Sequence, residues 1–80
     1  MDDAEARRWL ASMFDGTDAL TDDLIREGAR LLTDMMDAAR LVAEARKEAV
    51  VPAVERSRRC DALWHDFKQQ HGLTAKPKPR

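Results

Sequence analysis

Apolar and small residues return every three or four positions through most of this chain, in the order Leu24, Gly28, Leu31, Met35, Ala38, Val42, Ala45 and Ala49. Alternating steps of four and three are the spacing of a heptad seam on a helix. Ile25, Ala29, Leu32, Met36, Ala39 and Val50 widen the seam into a broad apolar band. The opposite stripe, through Arg26, Arg30, Thr33, Asp37, Arg40, Glu44 and Lys47, is polar throughout and reads as a solvated face. Thr21 is a helix-capping residue type, Asp22 and Asp23 complement the helix dipole in the first turn, and Leu20 can staple onto Ile25. A helix is therefore predicted to start at Thr21.

The seam continues past Pro52, one step out of register, as Ala53, Ser57, Cys60, Trp64, Phe67 and His71. A proline inside a helix lacks the backbone donor and crowds the carbonyl four residues earlier. Its neighbours Val50, Val51, Ala53 and Val54 include no turn-forming residue, so the pattern predicts one long helix over 21–71, kinked or broken near Pro52. Gly72 and Leu73 supply a left-handed cap and an apolar residue that folds back on the last turn. A shorter helix is predicted over 3–15. Asp2 and Glu5 have capping-box spacing at its start, Ala6, Trp9, Leu10, Met13 and Phe14 form its apolar stripe, and Asp15-Gly16 stops it. Residues 74–80 are basic, contain proline and offer nothing to bury, which predicts a disordered tail.

These elements define an all-α protein with a single helical domain over 1–73. As one straight rod, residues 21–71 would extend roughly 75 Å, whereas a globule of this length has a radius of gyration of roughly 12 Å. The preferred arrangement is a short helix packed on a long Pro52-kinked helix that associates as a coiled-coil-like homodimer. The alternative is a monomeric three-helix bundle. Trp9, Phe14, Leu24, Leu31, Met35 and Val42 are the expected dimer or core seam. Trp9 is expected near Gly28, whose lack of a side chain would admit a close helix approach.

Composition narrows the functional classes. Eighty residues make a small core, which association commonly supplements. One cysteine excludes an intramolecular disulfide framework. The acidic N-terminal sequence is unlike a secretory leader, and no apolar run approaches the ~20 residues of a membrane span, so a cytoplasmic location away from membranes is expected. Residues 1–40 carry ten acids against five bases, and residues 41–80 carry five against nine, giving halves of −5 and +4. Such polarity suits antiparallel self-pairing or two differently charged partners.

Candidate chemistry is sparse. Asp61 and His65 lie four apart beside Cys60, which gives two metal-ligand types but no third or fourth. Cys60 falls on the apolar seam, without the base and oxyanion donors that a nucleophile requires. Asp34 and Asp37 flank two core methionines and have no second acidic pair to complete a magnesium cradle. Asp15-Gly16-Thr17-Asp18 reads as a cap and turn rather than a calcium loop. No glycine-rich phosphate loop is present. The expectation is a non-enzymatic protein with no cofactor and no metal. It would act as an adaptor, accessory subunit or regulatory factor that binds a protein partner through Trp64, Phe67, Cys60, Arg56 and Arg59. A dimeric nucleic-acid-associated regulator is the alternative. Its contacts would be Arg56, Arg58, Arg59, Lys68 and the tail bases Lys76, Lys78 and Arg80, interleaved with Glu55, Asp61 and Asp66.

Overall fold

The computed structural model describes residues 2–77. Three helices, α1 (Asp3–Met13), α2 (Asp22–Glu44) and α3 (Val50–His71), carry the fold. A short strand β1 (Phe14–Asp15) and a 3-10 turn (Thr17–Ala19) join α1 to α2, and a second strand β2 (Thr74–Ala75) follows α3. Local chemistry accounts for most of the helix ends. Asp2 Oδ1 accepts the Glu5 amide at 2.8 Å, and Thr21 Oγ1 accepts the Leu24 amide at 3.3 Å. Gly72 takes a left-handed φ of 69° at the end of α3, and the Leu73 amide reaches back to the Lys68 carbonyl at 2.9 Å.

The long helix predicted over 21–71, kinked or broken near Pro52, is broken into two helices. It is interrupted at 45–49, where Ala45 is extended and the Ala49 amide closes a turn on the Arg46 carbonyl at 2.8 Å. No residue here needs a positive φ, so an ordinary turn of alanine and charged residues suffices. Pro52 is not a kink. It is the third residue of α3, in the first turn, where the missing donor would have been an orphan in any case. The chain folds back on itself and α3 runs antiparallel to α2, giving a radius of gyration of 14.0 Å and a longest dimension of 42 Å. The expected extended protomer is thus replaced by a three-helix arrangement. The reason is burial: reversal carries Trp64 and Phe67 onto α1 and α2, and two aromatic side chains outweigh the absence of turn-forming residues.

The core lies where the three helices meet. Trp64, Leu10 and Ile25 are its largest fully buried side chains, joined by Ala6, Phe14, Leu31, Leu32, Phe67 and Leu73. Trp64 meets Phe14 edge-on at 5.2 Å and stacks on Phe67 at 5.9 Å between ring centroids. It is the Phe67 ring, rather than Trp9, that sits over Gly28: a β-carbon there would stand 2.8 Å from Phe67 Cε1. Trp9, Leu24 and Met35 are partly buried at the core edge.

The chain ends are tied together. Helix α1 stops at Met13 rather than 15, because Phe14 and Asp15 pair antiparallel with Ala75 and Thr74. The Lys76 amide also donates to the Met13 carbonyl at 3.0 Å. The tail expected to be disordered over 74–80 therefore begins as a paired strand, and its last three residues lie outside the described ones. Gly16, with φ 95°, lies so close to the Gly72 carbonyl that a β-carbon would come within 2.8 Å of it. Arg7, on the face of α1 away from its apolar stripe, holds this connection by donating to the Thr17 and Leu20 carbonyls at 3.3 and 3.0 Å and pairing with Asp22.

Candidate functional site

Helix α1 covers only the end of the α2–α3 hairpin that holds the core. Beyond Leu32 and Met35 the hairpin is two helices thick. Ala38 is its one fully buried residue there, while Val42, Val50, Val54, Ser57 and Cys60 are only partly covered. Four large apolar side chains are left exposed on the hairpin: Met36 (51 %), Leu41 (38 %), Val51 (67 %) and Leu63 (55 %). Apolar residues exposed singly are ordinary on a protein surface, whereas those grouped on one surface mark an interaction site, so their placement matters.

Two of the four, Leu41 and Leu63, lie on one surface. A furrow runs between α2 and α3. Near the turn it is a groove of about 440 Å³ lined by Leu41, Glu44, Ala45, Ala49, Pro52, Ala53 and Arg56. Toward the core end, on the same side of the hairpin, a second and separate groove of about 260 Å³ is lined by Glu27, Arg30, Leu31, Leu63, Asp66, Phe67 and Gln70. Both grooves share the same two helical stripes. Pro52, Arg56, Arg59, Leu63, Asp66 and Gln70 follow one another at steps of four and three along α3, and Glu27, Leu31, Asp34, Ala38, Leu41 and Ala45 do so along α2.

Charge divides this surface. Among the described residues, no ion pair involves Arg46, Lys47, Arg56, Arg58 or Arg59, all exposed at or near the turn end. The ion pairs that do form are on α1 and α2: Arg7 with Asp22, Arg26 with Asp3 and Asp23, Arg30 with Asp34, and Arg40 with Asp37. Residues 35–60 hold six bases against four acids, and the remaining described residues hold six bases against eleven acids. Counted over the described residues, the turn end is positive, +2, and the core end negative, −5.

The predicted site residues separate. Arg56 lines the furrow, Arg59 lies on the same stripe, and Cys60 is a partly buried free thiol beside it. Trp64 and Phe67, expected to anchor a partner, are instead inside the protein's own core, with only an edge of Phe67 reaching the furrow. Of the expected seam, Leu31 and Phe14 are buried, while Leu24, Met35, Val42 and Trp9 are partly so. The exposed Asp61 and His65 are not joined by an ion pair. Asp34 and Asp37 each face an arginine at 3.9 and 3.6 Å. No group of three or more His, Cys, Asp or Glu side chains among the described residues could hold a metal ion, and no helix is long and apolar enough to cross a membrane.

Sequence reading missed Leu41 and Leu63. The available signal was that both are large apolar residues outside the predicted seam and band, so burying the seam would leave them in water. Comparison with protein-family models, curated proteins and solved structures finds no match to this chain.

Proposed function

We propose that this chain is a small non-enzymatic interaction module, an adaptor or regulatory factor, whose binding surface is the α2–α3 furrow. The observation that carries this reading is the placing of exposed Leu41 and Leu63 beside Arg56, which lines the furrow, and Arg59 on the same helical stripe, neither arginine in an ion pair among the described residues. An apolar floor with charged edges is the anatomy of a protein interface: the floor supplies affinity, and the charges supply orientation. The aromatic residues do not serve as anchors in this reading, because they hold the hairpin closed. The test is quantitative affinity capture from host extract with the wild type and with Leu41→Glu/Leu63→Glu, both shown to be folded by circular dichroism. A protein enriched by the wild type and lost with the double variant supports the reading. An identical set captured by both removes the furrow from consideration.

The five bases near the turn end that form no ion pair among the described residues favour one second reading, contact with nucleic acid through the phosphate backbone. Glu44, Glu48 and Glu55 interrupt that cluster, which weakens its field. Salt-sensitive retardation of duplex DNA, abolished by alanine at Arg56, Arg58 and Arg59, would favour this reading over the first.

A further inference from the structure

We infer that the occupant of the furrow is a second copy of this chain, laid antiparallel, so that the turn end of each protomer covers the core end of the other. The inference rests on the furrow being a protein-binding surface. Charge supplies the orientation. With a turn end of +2 and a core end of −5 over the described residues, parallel stacking would set like against like, and antiparallel stacking opposes the two signs at both ends.

The α3 stripe supplies the register. Arg56 and Asp66 are both exposed members of it, ten residues and therefore roughly 15 Å apart along the helix, too far to pair within one chain. A two-fold axis crossing the stripe midway between them places Arg56 of each protomer opposite Asp66 of the other, giving two equivalent pairs. The same operation sets Leu63 of each copy against the Arg59 level of the other, above Ala38 and one turn from Leu41. The aliphatic stem of Arg59 then lies over Leu63, as long basic side chains do on apolar surface. The contact is isologous, as a closed dimer requires.

The furrow extends over residues 27–45 of α2, roughly 27 Å at 1.5 Å per residue. Two helices side by side, roughly 10 Å apart, give a face at the small end of stable interfaces. Dissociation constants in the range of about 10–100 µM follow for such an area with exposed charge pairs.

The experiment is sedimentation velocity on the full chain from 5 to 500 µM at low and high salt, with Arg56→Asp, Asp66→Arg and the double swap. Wild type is expected to move toward twice its 9.1 kDa protomer mass over that range, more readily at low salt. Each single variant places like charges opposite one another at two points and is expected to weaken association by at least about tenfold. The double swap restores two opposed pairs with their signs exchanged and is expected to recover most of the loss. Both positions are exposed, and circular dichroism serves as the check that each variant is folded. A wild type that stays monomeric to 500 µM, or single variants that associate like the wild type, or a double swap that recovers nothing, overturns the inference. A monomeric wild type that still captures a host protein in a Leu41/Leu63-dependent way leaves the furrow as a binding surface with a different occupant. Loss of both results removes the binding surface as well.

Discussion

Gly28 sits inside α2, where alanine would ordinarily be the better residue by about 1 kcal/mol. The packing reverses that sign. A β-carbon at position 28 would lie 2.8 Å from Phe67 Cε1, 3.1 Å from Phe67 Cζ and 3.5 Å from Leu10 Cδ1. The first contact is about 0.7 Å short of the ~3.5 Å at which carbon atoms rest, so the ring must move. It has little room, being buried, stacked on Trp64 and 4.5 Å from the His71 ring. Overpacking of this kind costs about 1–3 kcal/mol. Set against the helical gain, Gly28→Ala should destabilise by about 1 kcal/mol and lower the melting temperature by about 4–8 °C in a domain of this size.

The decisive control is the same substitution in a Phe67→Leu background. Leucine lacks the distal ring atoms that the new methyl would strike, so the helical gain should reappear and Gly28→Ala should stabilise that background by up to about 1 kcal/mol. The coupling between the two sites, read from urea unfolding followed by circular dichroism at 222 nm, should approach about 2 kcal/mol. If Gly28→Ala raised the stability of the wild type, or acted equally in both backgrounds, then α3 would not be held against Gly28. The antiparallel packing of α2 and α3 would have to be abandoned.

Four further substitutions examine other parts of the fold. Leu31→Asp places a charge at a buried position and should cost about 3–5 kcal/mol, whereas exposed Arg40→Asp should change stability by no more than about 0.5 kcal/mol; equal melting curves for the two would mean the faces of α2 are misassigned. Pro52→Ala should leave the radius of gyration in small-angle scattering equal to that of the wild type, because Trp64 and Phe67 hold the hairpin closed, and an elongated particle would show that the proline does. Gly16→Ala combines a left-handed backbone with a close approach to the Gly72 carbonyl and should cost about 1–3 kcal/mol in thermal unfolding; an unchanged midpoint would mean the β1–β2 strap adds nothing to stability.

The candidate surface was legible only in part. Arg56 and Arg59 stood out as basic residues on a helix, and the folded structure leaves them exposed and without ion pairs among the described residues. Trp64 and Phe67 also stood out, as large aromatics on a narrow stripe, but a stripe of that kind suits a protein's own core as well as a partner's groove. Which of the two it fills depends on whether a core is within reach, and that is a question of topology. Leu41 and Leu63 were invisible for the complementary reason: they become notable only when the seam that excludes them is buried.

The sequence by itself determined the helical character of the chain, the helix starts at Asp2 and Thr21, the stop at Gly72-Leu73, and the burial of Leu31, whereas the stop of the first helix at Met13 came from strand pairing with the far end of the chain. Each of the former is decided within a turn or two, by a side chain meeting a nearby amide, a left-handed glycine or a periodicity of four and three. Tertiary structure alone decided that the chain reverses at 45–49 and that Pro52 begins a helix rather than bending one. The contacts responsible are between residues far apart in sequence, Phe67 on Gly28 and Trp64 on Phe14, and the turn itself contains no residue that announces it. A proline is equally compatible with a kink or a first turn, so local chemistry left the choice open and the burial of two aromatic side chains made it.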